Sequence, residues 1–187
     1  HFDAAPMTKG VIAASGGVGL LVSPYVTSLT RHLGVPAMRM AMWVALVGTC
    51  GFLLAASGSL PLYVIGVLIG LTAVNATIPL LTFTYQRNFP TVDRGKRVGR
   101  GLAMRVAVSA PLAVVMGAWL RDRLDLWWVI LLAAAAAMVM LTGLYSRMPT
   151  ERLEGARSST ILPHFDLVGT DRQLRRTLAA WMLMGFG

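Results

Sequence analysis

A chain of 187 residues can close one good water-soluble core, but here 56% of the residues are hydrophobic, 13% are charged and the mean hydropathy is +0.65. So few charged groups cannot coat a globule, whereas lipid accepts an apolar exterior; the composition excludes an ordinary soluble domain. The formal net charge of +9 would suit nucleic acid if it lined one groove, yet the basic residues fall in short segments between apolar runs, so no nucleic-acid partner is expected.

The chain opens on His1 rather than Met, no signal-peptide pattern follows, and its last apolar run stops at Gly187 before it can cross a bilayer. It reads as an internal fragment with its targeting information upstream. A bilayer core about 30 Å thick takes roughly 20 apolar residues, because every backbone amide must be bonded within its own helix. Five spans meet that need, over 10–30, 38–56, 60–83, 101–120 and 126–144, and a sixth begins near Thr177. The predicted fold class is all-α, a polytopic membrane helical bundle.

The first span carries Ser15, Gly16, Gly17, Gly19, Ser23 and Thr27, many on one broad side that suits close helix packing. Cys50 in the second span offers neither a disulfide framework nor a metal-ligand set and reads as a buried structural thiol. In the third span Gly66, Gly70, Ala73 and Thr77 form a stripe of small residues. Thr72, Asn75, Pro79, Thr82 and Gln86 gather on the roughly opposite side. Asn75 in mid-span is either an interhelical hydrogen bond or part of a solute cavity.

The fourth span places Arg105 and Ser109 on one face and Ala103, Ala110 and Gly117 on another. Arg105 is the only charge near hydrocarbon; it either snorkels to the headgroups or serves as an anion-binding or gating group. Pro111 is expected to kink this helix, as a static bend or as a gating element. No Asp or Glu lies in any predicted span, and His1, His32 and His164 are scattered among the connections. No catalytic set, metal site or cofactor is therefore expected, and a membrane-embedded enzyme ranks behind other readings.

The connections alternate in charge. Arg31 and Arg39 follow the first span; Arg87, Arg94, Lys96, Arg97, Arg100 and Arg105 follow the third; Arg147, Arg152, Arg157, Arg172, Arg175 and Arg176 follow the fifth. The other side carries Lys9, and Arg121 and Arg123 offset by Asp122 and Asp125. This bias places the basic side in the cytoplasm, so the first span runs inward through a cell (inner) membrane. Trp119, Trp127 and Trp128 fall at outer span ends, where such rings favour the headgroup level.

The segment Phe89-Pro90-Thr91-Val92-Asp93-Arg94-Gly95-Lys96 is similar to the Pro-x-x-x-Arg-Gly turn between the fourth and fifth helices of the major facilitator superfamily. Ala110-Pro111 and Gly117, ahead of Trp127-Trp128, resemble that family's fifth helix, with Ala110 in place of the usual Gly. Leu29-Thr30-Arg31-His32-Leu33-Gly34 resembles its loop between helices two and three, of which Leu29 and Gly34 match while Arg31 stands where Asp is usual. The resemblance implies helices two to six of a partial bundle over 1–145, a cytoplasmic inter-bundle linker over 146–176 and the start of helix seven over 177–187. It also implies a secondary transporter moving a small solute by alternating access, with lipid as its surroundings and a coupling proton or cation left open. Thr72, Asn75 and Ser109 are the candidates to line its cavity; Gly34, Arg94, Gly95, Arg105, Pro111 and Gly117 are the gating or loop-motif candidates. A non-transporting sensor or assembly factor is the alternative.

Overall fold

The computed structural model describes residues 6–153 together with Arg172 and Arg176. Apart from those positions, the predicted linker beyond 153 and the predicted helix over 177–187 lie outside the described residues. The chain forms α1 (Pro6–Leu33), α2 (Ala37–Ala55), α3 (Leu60–Ala76), α4 (Ile78–Asn88), α5 (Thr91–Asp122), a 3-10 turn (Leu124–Leu126) and α6 (Trp127–Arg147). It is an all-α bundle with no strand among the described residues, and five stretches are long and apolar enough to cross a membrane.

Local chemistry explains the boundaries. Gly34 takes φ +62°, and behind it the Gly34 amide donates to the Arg31 carbonyl and the Val35 amide to Thr30. This pair of bonds is the Schellman arrangement, which satisfies two carbonyls at the end of α1 and needs a left-handed residue, a conformation that glycine adopts without a Cβ penalty. Gly34→Ala is expected to lower stability by about 1 kcal/mol, read as a lower melting temperature in detergent, with Gly34→Asn less costly.

The third predicted span extends to Asn88 but is two helices, interrupted at Thr77. Pro79 lacks the amide that would bond back toward Asn75, and its ring crowds the preceding turn, so the ladder breaks just ahead of it. Pro111, by contrast, lies inside the uninterrupted α5. That helix starts at Thr91, ten residues before the predicted 101, because Pro90 fixes the backbone for helix entry. Arg94 and Gly95 thus belong to the first turns of α5 and not to the loop.

α2 is the central helix, packed on α3, α6 and α4, while α1 packs on α3. Met38, Ala41, Leu80 and Tyr145 form one core cluster. Phe52, Ala55, Val67, Leu131 and Met138 form a second. The α2–α3 seam is backbone against backbone: a Cβ built on Gly66 would lie 2.5 Å from both the Ala55 nitrogen and the Gly51 oxygen. The predicted small stripe has thus found its partner in Gly48, Gly51 and Ala55 of α2. That face of α2 turns Cys50 outward, so the thiol is exposed and the expected burial is corrected.

α5 meets the other elements chiefly at its two ends, through α4 and the 3-10 turn. Its apolar side chains are uncovered, Met104 at 73% and Val114 at 72% exposure, a surface that hydrocarbon solvates and water does not. Ala103, Ala110 and Gly117 are all exposed, and a Cβ on Gly117 would meet nothing within 4 Å.

The segment after α6 straps the basic end. The Ala37 amide donates to the Glu151 carbonyl and the Met38 amide to Thr150 Oγ1, while Pro36 accepts from Arg39 and Met40. All of the otherwise orphaned amides in the first turn of α2 are satisfied this way. Glu151 also lies 3.6 Å from Arg87 of α4, an exposed pair that contributes little. Thr150→Val keeps the shape and leaves the buried Met38 amide unbonded, an expected cost of about 1–3 kcal/mol. Thr150→Ser should retain wild-type thermal stability.

Candidate functional site

Most hydroxyls within the spans have local partners. Ser15, Ser23, Thr27, Thr30, Thr49, Thr84 and Thr142 each donate to a carbonyl three or four residues earlier in their own helix. In lipid this satisfies the hydroxyl without any neighbour, so a polar stripe is not by itself a cavity.

The predicted polar stripe of the third span divides accordingly. Thr72 sits in the α1–α3 contact, where a Cβ on Gly19 would come within 2.8 Å of its carbonyl oxygen, and its own Oγ1 is buried without a hydrogen-bond partner. Thr72 does not line the cavity described below. Thr82 and Gln86 are exposed, and Thr82 bonds back to Ile78.

Asn75 belongs to both settings. Its Cβ would lie 2.7 Å from a Cβ on Gly19, its Nδ2 donates to Leu71 at 3.0 Å, and it also borders a cavity of about 380 Å³. The cavity lies beside the α3–α4 break and draws its walls from α2, α3, α4, α5 and α6. Its walls are mostly apolar, including Val74, Leu81, Met138 and Leu141. The other polar groups are Thr77, Tyr85, Arg105 and Tyr145. The Tyr145 hydroxyl lies close to Thr77 and in electrostatic range of Tyr85 and Arg105. Among the described residues Arg105 is the only charged residue bordering the cavity, and no carboxylate lines it.

Ser109 is exposed on α5 and does not border the cavity; its hydroxyl lies 3.4 Å from the Val106 carbonyl. Arg94 turns back across the α4–α5 connection, donating from Nη2 to the Gln86 carbonyl at 2.7 Å and to Phe89 at 3.2 Å. It caps the end of α4, a task the sequence pattern does not reveal. A Cβ on Gly95 would meet nothing within 4 Å.

Among the described residues no group of His, Cys, Asp or Glu is placed to hold a metal ion. Comparison with known protein families, characterised proteins and solved structures finds no match. Thr77, Tyr85 and Tyr145 are the cavity's polar residues that sequence reasoning missed. Pro79 was the available signal for Thr77, since the break it causes sets Thr77 at the cavity. The tyrosines near the ends of α4 and α6 carried no comparable mark.

Proposed function

We propose that the chain forms part of a secondary transporter of the major facilitator type, moving a small solute by alternating access. The observation that carries this reading is the cavity inside the bundle, with Asn75, Thr77, Tyr85, Arg105 and Tyr145 set among apolar walls. A volume of about 380 Å³ falls in the range of small-molecule sites, roughly 300–1,000 Å³. Its position beside a broken helix is where carriers place solute sites, because the break lets a non-helical backbone group face a cavity instead of lipid. The order of the loop motifs around Gly34 and Arg94-Gly95 and the one-sided basic charge support the same family.

Alternating access predicts that one cavity residue is reached from each side in turn. Cys50→Ser removes the single native thiol, after which Asn75→Cys provides a reporter in the cavity. In right-side-out and inverted vesicles, a membrane-impermeant maleimide is expected to label that reporter from both faces. Labelling from one face only, under every solute and ion condition tried, speaks for a sensor or assembly factor and against a carrier.

A further inference from the structure

We infer that the cavity takes an organic monoanion with a compact apolar body, of the aryl or short-chain carboxylate class. This inference rests on the cavity being a solute site, as proposed above. Among the described residues Arg105 is the only charged residue on its border, so a bound cation would meet repulsion with no carboxylate from those residues to offset it. A carboxylate meets the reverse: a guanidinium fork, with the phenols of Tyr85 and Tyr145 nearby.

The rest of the wall sets the other half of the ligand. Val74, Ile78, Leu81, Met138, Leu141 and Leu144 offer no charge and no strong hydrogen-bonding side chain. A sugar or a zwitterionic amino acid would leave several polar groups unpaired against them, at about 1–3 kcal/mol for each one desolvated. An aromatic ring or a short acyl chain buries its carbon there and keeps its head group at the tyrosine–arginine end. The flexible Met138 side chain adapts to either shape. Arg105 can still lie near the headgroup level in the empty protein and turn to the ligand when it binds, because a long stem permits both positions.

The test uses the full chain in detergent, with benzoate and hexanoate as probes, benzamide and hexanamide as neutral matches, and benzylamine as the cation. Binding is read by isothermal calorimetry and by the shift in melting temperature. At least one carboxylate is expected to bind on the order of tenfold or more tightly than its amide, and benzylamine not at all. Arg105→Gln is expected to remove that preference, with Arg105→Lys intermediate because an ammonium lacks the fork. Arg100→Gln, also on α5 but off the cavity, is expected to change nothing. An unliganded melting temperature equal to wild type shows that Arg105→Gln is folded, and Tyr145→Phe gives a second, chargeless variant expected to weaken carboxylate binding several-fold. Equal or tighter binding of amide or amine, or a carboxylate preference that survives Arg105→Gln, overturns the anion assignment while the solute cavity stands. Failure of every probe to bind the wild-type chain, together with one-sided labelling of Asn75→Cys, overturns both; two-sided labelling with no probe bound overturns only the ligand class.

Discussion

Gly66→Leu is expected to prevent assembly of the bundle. A Cβ at this position would sit 2.5 Å from the Ala55 nitrogen and the Gly51 oxygen, and both are main-chain atoms of a neighbouring helix. A flexible side chain could move aside; a helix backbone can do so only if α2 and α3 separate along their whole seam. Overpacking ordinarily costs about 1–3 kcal/mol, and separation adds the loss of the contacts that hold Phe52, Ala55 and Val67 together. Hydrocarbon supplies little drive to push the helices back, since lipid tails are as apolar as the faces they would cover. The measurement is size-exclusion chromatography of a fluorescent fusion in mild detergent, where the variant should shift to the void or disappear. Gly143→Leu is the matched control, because a Cβ there meets nothing within 4 Å. A monodisperse Gly66→Leu protein with the wild-type melting temperature would refute the close seam.

Arg94→Ala is expected to loosen the α4–α5 connection. The guanidinium donates to the carbonyls of Gln86 and Phe89, which close the end of α4. Hydrogen bonds from a charged donor are worth about 1.5–3 kcal/mol, and the positive charge also complements the carbonyl end of the helix. The consequence is large here because little else holds α5: its middle is uncovered, and its attachment at the basic end runs through this turn. Limited proteolysis between Asn88 and Thr91 should accelerate on the order of tenfold or more in the variant, with a lower melting temperature. Arg94→Lys should recover part of the loss, since the ammonium keeps the charge beside the carbonyl end of the helix on a shorter stem. Gly95→Ala is expected to be neutral or slightly stabilising, since the residue lies inside a helix with open space around it. The adjacent Arg and Gly of one loop motif thus separate into a structural cap and a tolerant position. Unchanged proteolysis in Arg94→Ala would remove the cap from the account.

Much of the architecture was legible in the linear chain for a simple reason. Crossing hydrocarbon requires a long apolar run whose amides bond within the run, and that requirement is local. The five spans, the turn at Gly34 and the small face of Gly66 and Gly70 all follow from neighbouring residues. Boundaries drifted where polar helix continued beyond the apolar stretch, as at Thr91 to Arg100 in α5.

What the chain order alone could not decide is which residues meet. Thr72 and Asn75 lie on one predicted face, but the packing of α1 takes Thr72 and part of Asn75 into a helix contact and leaves the other part of Asn75 to the cavity. Thr77 at the α3–α4 break and Tyr85, Arg105 and Tyr145 from three different helices converge only because α4 breaks from α3 and α6 packs on α2. Cys50 turns outward because its helix spends the opposite face on α3. Apolar length is a property of a segment, so the sequence determines the spans; a cavity belongs to the angles and contacts between segments, so only the tertiary structure could assemble it.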